Sequence, residues 1–180
     1  MRILSVVGDR PQLLASAPLS QALRERGVDE VLVHAGPPID AELELPPPAY
    51  WLETGSGKHG EETGRLLPAI EAALLEEQPD AVVVFGDTNS TLGGALAAGK
   101  LLIPVARVGA GLRSFDRPSP EELNHELVDR LSTLLFCPTD DAVRNLAAEG
   151  ITEGVHFVGA VMDAKAASKI ADLLIYDESP

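Results

Sequence analysis

Apolar residues in this chain fall in short, mostly unbroken blocks: "ILSVVG" (3–8), "EVLVHA" (30–35), "AYWLE" (49–53), "AVVVFG" (81–86), "IPVARVGA" (103–110), "LLFCPT" (134–139) and "VHFVGA" (155–160). A strand with one wet face alternates apolar with polar residues. Continuous runs of this length belong to strands buried on both faces, as in a parallel sheet covered by helices. Between the blocks lie segments with helical spacing. "PLSQALRERG" closes on Gly27 after Arg24 and Arg26, and Pro11 is placed to begin a helix. "TGRLLPAIEAALLEEQ" is stopped by Pro79; "STLGGALAAGK", "SPEELNHELVDRLS", "TDDAVRNLAAEG" and "DAKAASKIADLLI" complete the set. In "SPEEL" and "TDDAV" a capping residue precedes first-turn acids.

Strand–helix alternation of this kind predicts an α/β fold: a doubly wound, Rossmann-like, mostly parallel sheet of about seven strands. Right-handed crossovers then bring every strand's carboxyl end to one edge, where ligands of such sheets bind. The Pro-rich stretch from 36 to 48 reads as an irregular loop over that edge.

The 180 residues suit a single domain. Aromatics are only 4%, so the core has to be built from Leu, Val, Ile and Ala. A net charge of -14 argues against nucleic acid and anionic membrane as partners. It leaves room for an anionic small ligand, because a few arginines can dominate one pocket. The single cysteine, Cys137, sits in an apolar run and reads as a buried thiol. The apolar start is too short for a signal peptide and no run is long enough to span a membrane, so the expected location is cytoplasmic. His34, His59, His125 and His156 show no metal-ligand spacing, and neither a metal nor a cofactor is expected.

Candidate chemistry lies at the strand ends. After the first strand, Arg10 at a helix start suits a phosphate or carboxylate as well as a surface ion pair. After the fourth, Asp87 reads either as the cap of the next helix or as an acid/base group held at the ligand edge. After the fifth, "VGAGLR" offers Gly109 and Gly111 for close backbone approach, then Arg113. Glu121 and Glu122 read first as helix-dipole residues. "GSGKHGEETG" (55–64) reads as a loop, without P-loop spacing.

Several of these stretches occur together, in order: "VVGDRPQLLASAPLSQALRERG", "GSGKHGEETGRLLPAIE", the run from "VVVFGDTNSTLGG" through "VGAGLRSFDRPSPEELNHELVDR" to "AAEGI", and "VHFVGAVMDA". They resemble the non-hydrolysing UDP-N-acetylglucosamine 2-epimerases and their relatives acting on other UDP-2-acetamido sugars. The resemblance implies the amino-terminal half of a GT-B-type fold. It also implies a reaction in which UDP is eliminated to a glycal and re-added after inversion at C2, which needs a base and a group to assist UDP departure. On the matching positions, Asp87 and Glu121 are implied as catalytic, and Arg10, Arg113 and Glu122 as substrate-binding.

The chain departs from the family pattern at four positions. Ala15 stands where the family usually has Lys, Arg107 where it has His, Gly109 where it has a catalytic Glu, and His125 where Arg is common. After "FVGAVMDA" the family continues into a UDP-binding domain. Here "KAASKIADLLIYDESP" follows directly and resembles the last helix of full-length members, which packs back on the first domain. The resemblance thus implies residues 1–164 as the amino-terminal domain and 165–180 as the returning helix, with the second domain missing. The expected function is an epimerase-like domain inactive alone. The alternatives are an active half working with a separate UDP-binding domain, and a non-catalytic module for an anion or sugar nucleotide gripped by Arg10, Arg107 and Arg113. A homodimer is the expected assembly.

Overall fold

Seven parallel strands form one sheet in the order β3-β2-β1-β4-β5-β6-β7. They are β1 (Arg2–Val7), β2 (Asp29–His34), β3 (Tyr50–Trp51), β4 (Ala81–Phe85), β5 (Val105–Val108), β6 (Leu134–Cys137) and β7 (Val155–Phe157). Six helices connect and cover them: α1 (Arg10–Glu25), α2 (His59–Glu77), α3 (Asn89–Lys100), α4 (Pro120–Leu131), α5 (Asp140–Ala148) and α6 (Ala164–Tyr176). The structure is a computed structural model that describes residues 1–37, 47–53, 57–116 and 118–176. The Pro-rich loop lies for the most part outside these residues, as do the first two residues of "GSGKHGEETG".

The unbroken apolar blocks are explained by burial on both faces. Along β4, Val83 and Phe85 pack into the layer of α1 and α6, while Val82 and Val84 pack beneath α2 and α3. Every residue of β4 is buried. Helix α5 covers Leu135 and Cys137 at the far end. Helix α6 returns across α1, burying Ala167, Ile170 and Leu174, and Arg26 pairs with Asp172 at 2.8 Å.

Helix α1 begins where Arg10 and Pro11 were read as a helix start, while α2 begins earlier than its apolar spacing suggested. Helix α1 starts at Arg10, because the Asp9 carboxylate caps it by accepting from the Gln12 amide at 2.9 Å; Pro18 falls inside it. Helix α2 starts at His59 and carries Pro68 inside. The caps read at Ser119 and Thr139 are present, each hydroxyl accepting first-turn amides.

The strand order reverses at β1. The chain moves one way through β2 and β3, then returns to the other side of β1 with β4. A crevice at the strand carboxyl ends is expected at such a switch.

Candidate functional site

A cavity of about 330 Å³ opens at that edge. Its walls come from the ends of β4, β5 and β6, the first turns of α1 and the segment after β7. Most of the lining is apolar, including Phe85, Val108, Leu112, Phe136 and Val161. The polar side chains in the wall are Asp9, Gln12 and Asp87, and no cationic side chain lines it among the described residues.

Gln12 is saturated. Its Oε1 accepts from the Gly8 amide at 2.7 Å, and its Nε2 donates to the Thr88 and Thr91 hydroxyls. Asp9 is engaged as the cap of α1. Asp87 does not cap the helix that follows it, so the capping reading is corrected. The α3 cap is Thr88, whose hydroxyl accepts from the Thr91 amide. That frees the Asp87 carboxylate to turn toward α4, where its Oδ2 lies 3.2 Å from His125 Nε2. The neighbouring Asn124 side chain donates to the Asp87 carbonyl at 2.8 Å.

Behind His125 stands Arg107. Alternation along β5 turns Val108 toward α1 and α6 and Arg107 toward α4, where it is wholly buried. Its guanidinium donates to the His125 carbonyl at 2.7 Å and to His125 Nδ1. Arginine has only donors, so Nδ1 must accept, and the ring's proton sits on Nε2, directed at Asp87. The His125 hydrogen bond holds the Asp87 carboxyl below its usual range against the opposing effect of burial, and the nearby Arg107 charge assists. Burial pushes the Arg107 guanidinium down, and Asp129 opposes that push.

The arginines expected to converge on an anion do not line the cavity. Arg107 and Arg113 both turn to Asp129 on α4, at 3.2 and 2.7 Å, with all three side chains at most 1% exposed. Arg113 also grips Glu149 through two 2.8 Å hydrogen bonds. Arg10 is exposed on the first turn of α1, outside the cavity wall. Glu121 is exposed and accepts from the Ser119 hydroxyl at 2.6 Å, which lowers its carboxyl. Glu122 is buried and clamps the preceding loop, accepting from the Ser114 amide and hydroxyl and from the Phe115 amide. Burial alone would raise the Glu122 carboxyl, but those donors outweigh it and hold it low.

Of the residues singled out in the sequence, the cavity wall therefore brings together Asp87, Ala15 and Gly109. Gly109 has φ +86°, and a side chain there would meet nothing nearer than Leu112 Cδ1 at 3.8 Å. Gly111 serves a different contact. An added Cβ would lie 2.3 Å from the Ala142 carbonyl oxygen, so its close approach is to α5. Sequence reasoning missed Asp129, whose carboxylate sits among the buried positions of α4. It also missed Gln12, although Asp9-x-x-Gln12 is a capping-box spacing.

A family model described as UDP-N-acetylglucosamine 2-epimerase matches residues 21–175. A UDP-N-acetylglucosamine 2-epimerase homolog of Methanococcus maripaludis is 50% identical over 170 residues, covering 90% of this chain and 47% of that protein. The UDP-2,3-diacetamido-2,3-dideoxy-D-glucuronate 2-epimerase of Pseudomonas aeruginosa is 46% identical over 159 residues, covering 83% and 45%. Among solved structures, the UDP-GlcNAc 2-epimerase of Methanocaldococcus jannaschii in complex with UDP-GlcNAc and UDP aligns with a TM-score of 0.85 at 42% identity, covering 99% of this chain and 51% of that one. The chain spans about half the length of the relatives it matches.

Proposed function

This chain belongs to the UDP-N-acetylglucosamine 2-epimerase family, and on that premise we propose that it is the sugar-facing half of an epimerase-type site, without turnover of its own. The observation that carries this reading is the composition of the cavity wall. Asp87 is there, ionised and with one carboxylate oxygen outside its His125 contact. Ala15 and Gly109 stand in the same wall, where the resemblance implies Lys and Glu, and offer no acid, base or cation.

Epimerisation at C2 needs a proton taken from that carbon and charge stabilised on the departing UDP. Asp87 alone is a weak base, because its hydrogen bond from His125 favours the carboxylate. With no cationic side chain in the wall among the described residues, those residues leave the charge on a leaving diphosphate unmet. The chain can therefore receive the sugar but cannot expel the nucleotide. The test is UDP release from UDP-N-acetylglucosamine by the purified chain, followed by phosphorus NMR. No free UDP above the protein-free blank is expected, and steady release would overturn the proposal.

Asp87 in the cavity wall favours a second reading, in which the site turns over once a UDP-binding half is supplied in trans. Adding the carboxyl-terminal half of the Methanocaldococcus jannaschii relative would then produce UDP release that Asp87→Asn abolishes. No release in the mixture would count against it.

A further inference from the structure

His34 belongs neither to the strand-end cavity nor to the buried ion pairs. It ends β2. Val31 and Val33 of that strand pack beneath α2 and α3, so alternation turns His34, with Leu32, toward the layer of α1. The residue is 1% exposed, and neither Nδ1 nor Nε2 has a hydrogen-bond partner among the described residues. A buried imidazole without partners is destabilising when neutral and far more so once charged.

Its cover at the sheet edge is one ring. Trp51 on β3 is paired in register with His34, and the two rings meet edge to face, their centroids 4.8 Å apart. Trp51 is itself 55% exposed, so moving it uncovers little further apolar surface. The strand that carries it is the edge strand and has two residues. Its other residue, Tyr50, packs on the opposite face and donates to Glu77 at 2.8 Å, which keeps the strand anchored when Trp51 moves. We propose that this edge is an acid-operated gate: protonation of His34 drives Trp51 off the imidazole and admits water to the end of β2. The gate does not depend on what the strand-end cavity binds.

Among the described residues no charged side chain is placed to pair with a buried imidazolium. The register partner on β1 is Val7. Glu30, four positions back on the same face, is held by the Ser5 hydroxyl at 2.6 Å. Helix α1 carries Arg10, Arg24 and Glu25 and is capped by Asp9, while Glu53 beyond β3 is exposed. None of these charges moves the His34 titration, and burial alone lowers it. The closed edge thus holds the ring neutral, and the open edge lets it charge at its ordinary value. Below about pH 6.5 the open form gains close to about tenfold over the closed form for each pH unit. The opening stops at Ala35, whose amide donates to the Val7 carbonyl at 2.7 Å, and at Gly36, where a Cβ would lie 1.6 Å from the Gly8 carbonyl oxygen.

Trp51 is the single tryptophan of the chain, so its fluorescence reads the gate directly. Acrylamide quenching is measured on the intact chain between about pH 7.5 and 5, on either side of the ordinary imidazole value, with circular dichroism alongside. Since the ring starts 55% exposed, the quenching constant should rise by up to about twofold toward the acid end while the dichroism holds. In His34→Phe, which keeps a ring against Trp51 and removes the titration, the constant should stay flat; His34→Leu replaces it if the phenylalanine variant does not fold. A flat constant in the native chain overturns the proposal. So does an equal rise in the variant, which would place the titrating group elsewhere, or a rise that appears only as the dichroism is lost, which would be global unfolding.

Discussion

Replacing Asp129 by Asn tests the electrostatic base on which the site stands. Asp129 is fully buried on α4, 2.7 Å from Arg113, 3.2 Å from Arg107, and accepts from the Gly111 amide at 3.2 Å. Its Oδ1 is close to Arg107 without hydrogen-bond alignment, so that contact is chiefly Coulombic. Asparagine keeps the volume and one acceptor but removes the charge. Arg113 retains Glu149. Among the described residues Arg107 then keeps hydrogen bonds to the Gly86 and His125 carbonyls and the His125 ring, with Asp87 as the remaining nearby negative charge. An uncompensated buried charge costs about 3–5 kcal/mol, a large share of the roughly 5–15 kcal/mol that holds a domain together. For a chain of this length that lowers the melting midpoint by roughly 10 °C. Arg107→Met should cost less, because Asp129 keeps Arg113 as its partner. Urea unfolding followed by circular dichroism at pH 7 measures both. A loss below about 1 kcal/mol in Asp129→Asn, or a larger loss in Arg107→Met, would refute the pairing as described.

Four further outcomes are expected. Gly111→Ala should cost about 4 kcal/mol or more, or prevent folding, since its Cβ would strike the Ala142 carbonyl at φ +75°. Gly109→Glu should fold at a cost of about 1–2 kcal/mol, the left-handed backbone penalty without a clash; urea unfolding separates the two. Thr88→Ala removes the α3 cap and a Gln12 partner and should cost about 1–2 kcal/mol by the same assay. The Asp87 and Glu122 carboxyls titrate lower in the folded chain than in the unfolded one. Their contribution is therefore full above the ordinary carboxylate range and is lost as pH falls through the folded values. Asp87→Asn should flatten the fall in urea midpoint between pH 5 and 3, and an unchanged slope would show that Asp87 contributes nothing there.

The sheet was legible because strands buried on both faces leave continuous apolar runs, and all seven blocks became strands. Helix ends were less legible. Asp9 and Gln12 start α1 through side-chain hydrogen bonds that apolar spacing does not register. The site was legible in position but not in connection. Asp87, Ala15 and Gly109 meet at one cavity because all three lie at the carboxyl edge. Arg107 was grouped with the strand tips, yet it lies within β5, where alternation sends it to the α4 face. Arg113 follows the tip but is drawn inward by Asp129 and Glu149, which lie 16 and 36 residues further along the chain. Arg107 and His125 were read separately in the sequence, yet in the folded chain the two side chains touch.

The most direct measurement is a nitrogen–proton NMR titration of the chain with UDP-N-acetylglucosamine, with free UDP assayed in the same tube. Shifts confined to amides around the cavity, Asp87, Gly109 and Val161 among them, with no free UDP formed, are the expected result. Release of UDP, or unmoved cavity amides at saturating sugar nucleotide, would contradict the reading of this chain as a sugar-facing half-site without turnover of its own.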